Sequence, residues 1–318
     1  MNTLQIFGTL GPSCHTKETI RCMLQMGMTG LRLNLSHVNL KDCTEWIQNF
    51  QDACQLENKP VNLLIDIKGP ELRIKKELQP VELKAGQTVD VTSLSFPELI
   101  YKHLQKGQTI LLDDGRIQLE MLEGTKAKVI HPGILKPSKS LALPGCTIQS
   151  PTLTKEDIEN LKVAKDYGVT GIMQPFVRNK DDLIFLRQTM DQYNLKDCKI
   201  YAKIENKNGV DQLESLFPYC DEIIIARGDL ANSVGLIHIA KVQQEIEERC
   251  HQHNMPYMVV TEMLHSMIQN PTPTRSEVMD IYTAVKNGAH SIMLTAETAA
   301  GNYPLEAMSY FTQIAKNV

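Results

Sequence analysis

The sequence predicts a (β/α)8 barrel of the α/β class carrying a small inserted antiparallel β lid. Three observations carry this reading. Eight short apolar, often β-branched runs recur along the chain, most followed closely by a stretch of helical period. One segment, from about Ile74 to Leu143, breaks that alternation with short alternating runs punctuated by Gly, Asp-Gly and Pro. Polar residues also recur at the same end of six of the runs, where a parallel barrel carries its active-site loops.

The elements follow in order. LQIFGTL (4–10) leads into KETIRCMLQMG (17–27), where Ile20, Met23 and Leu24 share one face and Gly27 suits a stop. GLRLNL (30–35) and VNLLIDI (61–67) come next. The inserted segment reads VELKAGQTVDVT, GQTILLDDGRIQLEML and TKAKVIHPG, dividing the chain into a barrel of 1–73 and 144–318 and a lid of 74–143. It falls between the third strand and its helix, where an added β unit can close over a site. Thr154 with Asp157 has the form of a capping box, opening a helix that carries Ile158, Leu161, Val163 and Ala164. Then come GIMQPF (171–176), KIYAKI (199–204), EIIIA (222–226), YMVVT (257–261) and SIML (291–294). Thr274 with Glu277 forms a second box before VMDIYTAVKNG, and Gly288 suits that helix's C-terminal cap. Pro304 sits in the first turn of the last helix, PLEAMSYFTQIAKN. An open doubly wound sheet is the alternative, but no G-x-G-x-x-G follows the first run.

Composition removes several function classes. The 318 residues suit one large domain with an insertion, or two domains. A net charge of −4 gives no basic footprint for nucleic acid or for anionic lipid. No apolar run of about 18 residues occurs, so no membrane span is expected. MNTLQIFGTLGPS lacks the charged start and long apolar stretch of a signal peptide. The scattered cysteines form no C-x-x-C and no zinc spacing, which fits reduced thiols in a cytoplasmic protein.

The chemistry is read from the strand ends. GLRLNLSH offers Arg32, Asn34, Ser36 and His37, and LLIDIKGPELR offers Asp66, Lys68, Glu71 and Arg73. AKIEN offers Lys203 and Glu205, which project from the same face of a strand. IIIARGDL offers Arg227 and Asp229, VVTEM offers Thr261 and Glu262, and MLTAET offers Thr295, Glu297 and Thr298. Glu205 and Asp229, on adjacent strands, suit Mg²⁺, which takes one or two carboxylates and completes its octahedron with substrate oxygens and water. Arg32 and Arg73 suit phosphate oxygens, and Lys203 suits a developing oxyanion or a moving phosphoryl group. Together they describe phosphoryl transfer. The plainer reading is that Lys203 pairs with Glu205, and Arg227 with Asp229, as ordinary salt bridges.

These motifs resemble the pyruvate kinase family over nearly the whole chain. L-R-L-N-L-S-H (31–37), D-I-K-G-P-E-L-R (66–73), A-K-I-E-N-K-N-G-V (202–210) and A-R-G-D-L (226–230) are similar to its signature segments. So are T-E-M-L-H-S-M (261–267), P-T-P-T-R-S-E (271–277), M-L-T-A-E-T-A-x-G-x-Y-P (293–304), L-D-D-G (112–115) and L-P-G (143–145). The resemblance implies a barrel with a mobile lid that moves phosphate from phosphoenolpyruvate to ADP, giving pyruvate and ATP, with Mg²⁺ and K⁺. It implies Mg²⁺ at Glu205 and Asp229, the transferring phosphate on Arg32, and Lys203 stabilising that phosphate and the enolate. It puts the substrate carboxylate on the amides around Gly228 and Asp229, and Thr261 on the enolate face. K⁺ would lie on Asn34, Ser36, Asp66 and the Ile67 carbonyl. His37, Arg73, Asp114 and Lys139 would meet the nucleotide, with Arg73 also near the substrate. Glu71 stands where members with glutamate tend to require K⁺ and members with lysine do not.

Several positions depart from the family pattern. The chain stops after the eighth helix, so a short form without the family's C-terminal allosteric domain is expected, as monomer or dimer. The lid is shorter than usual. Thr295 replaces a serine of the family's proton relay, Glu262 replaces glutamine, and A-N-S-V-G-L-I-H (231–238) replaces an acidic, proline-containing segment. These changes leave open a Mg²⁺-dependent enzyme of another class acting on a pyruvate enolate, such as a decarboxylase, aldolase or phosphoenolpyruvate hydrolase. A non-catalytic paralogue is the third reading.

Overall fold

A computed structural model describes residues 4–36, 38–146, 148 and 150–318. Eight parallel strands close into a barrel: β1 Gln5–Leu10, β2 Gly30–Asn34, β3 Asn62–Asp66, β4 Gly171–Gln174, β5 Lys199–Ile204, β6 Glu222–Ala226, β7 Tyr257–Val260 and β8 Ser291–Met293. Each strand pairs with its sequence neighbours, and β8 returns to β1 in the register Gln5–Ser291 and Ile6–Ile292. The strands are apolar on both faces because one face meets the barrel interior and the other meets the surrounding helices. All eight apolar runs read from the sequence are these strands.

The interior is a packed layer of Phe7, Leu64, Met173, Tyr201, Ile224, Met258 and their neighbours. Glycine at the head of β2 and β4 makes room for its aromatic rings. A Cβ on Gly30 would lie 2.1 Å from the Phe7 ring, and one on Gly171 would lie 2.6 Å from the Tyr201 ring. A second, larger core joins the outer strand faces to the helices.

Both capping boxes form, at Thr154–Asp157 and Thr274–Glu277. The first does more than start a helix. Asp157 is fully buried, and besides Thr154 it accepts the amides of Lys68 (2.8 Å) and Gly69 (3.0 Å). It therefore fixes the loop leaving β3 just before the chain enters the insertion.

The insertion carries a five-stranded antiparallel sheet, in the order Leu141–Ala142, Thr109–Leu112, Ile117–Met121, Lys126–His131 and Thr88–Asp90. A two-stranded sheet pairs Val81–Leu83 with Gly133–Leu135. Alternation sets the faces, since Ile117, Leu119 and Met121 are buried while Glu120 is exposed. The insertion has its own core of Ile74, Phe96, Ile110, Leu119 and Val129, among others. Its two connections to the barrel lie side by side, with Arg73 bridging Ser140 and the Leu141 amide on the Leu72 carbonyl. All eight cysteines are free thiols. No helix among the described residues is long and apolar enough to cross a membrane.

Candidate active site

The C-terminal ends of the strands open into one cavity of about 2160 Å³. Arg32, Asn34 and Ser36 reach it from β2, Asp66 and Ile67 from β3, and Lys203 and Glu205 from β5. Gly228 and Asp229 line it after β6, Thr261 after β7 and Thr295 after β8. Glu71 and Arg73 at the hinge and Asp114 from the lid complete the wall. Lys139 does not line this cavity; its ammonium pairs with Asp113 at 2.6 Å. His37 lies outside the described residues.

Asp66 is the hub. Its buried carboxylate accepts Arg32 Nη2 at 2.6 Å and Nε at 3.0 Å, and Lys203 Nζ lies 3.2 Å from Oδ2. Burial would raise its pKa, but Lys203 and Arg32 more than offset this and hold it below the usual carboxylate value. The converse holds for Lys203. Burial would lower its pKa, yet Asp66 and Glu205 keep the ammonium charged well above the ordinary lysine range. Lys203 and Glu205 do pair, at 2.9 Å. The other oxygen of Glu205 accepts the Phe176 amide at 2.8 Å, and Phe176 has a φ of 52°. That amide had no signal in the sequence.

A second group of carboxylates faces this lysine. Glu71 binds Arg73 at 2.8 Å, but burial, aided by Glu205, still raises its pKa despite that partner. Asp229 is half-buried near the start of the helix Arg227–Val234. Burial first, and then Glu205, Glu71 and Asp114, push its pKa up to about 7. Lys203 alone does not balance these charges. Among the described residues no group of three or more His, Cys, Asp or Glu side chains forms a metal site by itself. Glu205 and Asp229 instead offer the carboxylate pair that suits Mg²⁺, with the remaining positions left to water and substrate oxygens.

Arg227 does not take the partner the simpler reading offered. Instead of Asp229 it binds Asp280 at 2.7 Å, and its Nη2 donates to the Thr261 carbonyl at 2.7 Å. Asp280 sits on the helix that follows β7, Arg275–Lys286, so no strand-end motif marks it in the sequence. After β8, the Thr295 amide and hydroxyl both donate to buried Glu297, at 2.7 and 3.0 Å.

Fold and site define a (β/α)8 barrel protein whose mouth gathers a paired lysine, two arginines and a carboxylate pair suited to a divalent cation. A family model described as the pyruvate kinase barrel domain matches residues 1–308, and the chain belongs to the pyruvate kinase family. It is 34% identical over 333 residues to the pyruvate kinase of Bacillus licheniformis, covering 99% of this chain and 57% of that protein. The pyruvate kinase of Sporosarcina psychrophila is also 34% identical, with the same coverage. That of Thermotoga maritima is 34% identical over 334 residues, covering 99% of this chain and 71% of that protein. The chain thus spans little more than half the length of the first two relatives.

Proposed function

We propose that this chain transfers phosphate from phosphoenolpyruvate to ADP, giving pyruvate and ATP. The observation that carries the proposal is the placement of Lys203, held charged between Asp66 and Glu205, beside the mutually repelling pair Glu205 and Asp229. Family membership supports the same reading. Glu205 and Asp229 would hold Mg²⁺, which when bound would supply positive charge to the phosphoryl and enolate oxygens.

This chain's own residues do the rest. Arg32, fixed on Asp66, presents a rigid cation to the phosphoryl oxygens. Lys203 stabilises the negative charge that passes to the enolate oxygen as the phosphorus–oxygen bond breaks. The amides of Gly228 and Asp229, at a helix N-terminus, receive the substrate carboxylate. Thr261 lines the enolate face, and Thr295 supplies a hydroxyl near the carbon that takes up a proton. Arg73, His37, Asp114 and Lys139 serve the nucleotide, with the 74–143 segment acting as a lid. Asn34, Ser36, Asp66 and the Ile67 carbonyl supply oxygens for K⁺, and we propose that Glu71 makes K⁺ necessary.

The test is pyruvate formation from phosphoenolpyruvate with ADP, Mg²⁺ and K⁺, each omitted in turn. The proposal expects pyruvate only when phosphoenolpyruvate, ADP, Mg²⁺ and K⁺ are all present. Pyruvate without ADP would assign a hydrolase instead, and no turnover would remove the assignment.

A further inference from the structure

Thr261 and Glu262, directly after β7, have φ values of 79° and 57°. Neither is glycine or asparagine, and a β-branched threonine is poorly suited to left-handed backbone. Such a conformation persists only where its surroundings hold it. Here the holder is visible. Arg227 Nε and Nη2 both donate to the Thr261 carbonyl, at 3.2 and 2.7 Å. The same guanidinium is fixed by Asp280, with Nη1 at 2.8 Å and Nη2 at 2.7 Å from its two oxygens. That is a two-pronged pairing of fixed geometry.

Asp280 lies on the helix Arg275–Lys286, whose start is set by the Thr274–Glu277 box. Glu277 also accepts the Ser266 amide and hydroxyl, at 2.7 and 2.6 Å, so the loop beyond Thr261 is tied to the same helix. On the opposite side, a Cβ on Gly228 would lie 3.2 Å from Thr261 Cγ2. The absence of a side chain at Gly228 leaves room for the Thr261 methyl group, and the threonine, held at its carbonyl, lines the cavity.

We propose that Arg227 and Asp280 form a positioning clamp that holds Thr261 in left-handed backbone and thereby sets its side chain at the barrel mouth. The backbone claim stands on geometry alone; its consequence for turnover rests on the proposed phosphotransferase reading. In this proposal both residues act through Thr261.

Two readouts test this on the whole chain, with Asp280→Ala. Amide hydrogen exchange of the segment 259–264 should quicken while the strands β1–β4 stay protected. The kcat for phosphoenolpyruvate should fall by about tenfold, with KM changed by less than about twofold. That kcat loss should vanish in a Thr261→Ala background, because the clamp would then have nothing to aim. Asp280→Asn, which keeps one acceptor oxygen, should recover part of both effects, and it carries the same readouts if Asp280→Ala does not fold. Unchanged exchange at 259–264, or an equal kcat loss with and without Thr261, would overturn the clamp. If the wild-type chain transfers no phosphate, the functional reading fails, and the exchange arm alone decides the clamp.

Discussion

Replacing Lys203 with methionine should move two quantities in opposite directions. The side chain is similar in length, so the change is mainly one of charge. In the wild type the ammonium lies 2.9 Å from Glu205 Oε1. A Mg²⁺ ion binds carboxylate oxygen at about 2.1 Å, so lysine and ion would stand about 5 Å apart. At an effective dielectric of about 20, one charge against two at that distance repels by about 7 kcal/mol. Asp66 and Glu205 already compensate the ammonium, so that figure is an upper bound and the net repulsion is far smaller, on the order of 1.4 kcal/mol, or about tenfold in dissociation constant. Lys203→Met should therefore bind Mg²⁺ about tenfold more tightly by calorimetry. Turnover in the coupled pyruvate assay should fall about a thousandfold, since the charge on the departing oxygen loses its partner. Simple unfolding would weaken both. Weaker metal binding with a folded variant, or retained turnover, would refute the reasoning.

Four further outcomes follow from the same geometry. The folded-state pKa of Asp229 lies above the usual value of 3.8, at about 7, so its contribution to stability is present below 3.8 and lost as the pH rises through about 7. Metal binding at pH 6 should accordingly release about one proton, read by calorimetry in buffers of different ionisation enthalpy, and Asp229→Asn should raise the metal-free melting temperature at pH 8. Asp157→Ala strips the acceptor from the Lys68, Gly69 and Thr154 amides and should cost about 3 kcal/mol, seen as a melting temperature lower by about 4 to 5 °C. Gly115→Ala meets both a φ of 81° and the Asn232 side-chain oxygen 2.8 Å from the new Cβ, so lid protection in hydrogen exchange should drop while barrel protection holds. Glu71→Lys should abolish the K⁺ requirement of the assay; an unchanged requirement would remove Glu71 from that role.

The fold was legible because burial on both faces leaves a plain trace. IIIA, MVV and LLI are short, bounded apolar runs of the kind a parallel sheet covered on both faces needs, and the lid's Asp-Gly turn and alternating runs have the other period. That most of the strand-end side chains face one cavity was legible for the same reason, since strand ends share one rim, although Lys139 does not line it. What each side chain touches was not. Asp66 meets Lys203 across 137 residues, and no local pattern encodes that pairing. Arg227 had a carboxylate two residues away and took one 53 residues away instead. The Phe176 amide and the left-handed turn at Thr261 are backbone features, and neither carries the glycine or asparagine that usually marks such a conformation.

The account depends on Glu205 and Asp229 holding one divalent ion between them. Titration of the metal-free chain with Mn²⁺, followed by electron paramagnetic resonance, tests this directly. The expected result is one tight equivalent in the wild type and its loss in both Glu205→Gln and Asp229→Asn. Wild-type affinity in either variant would contradict it.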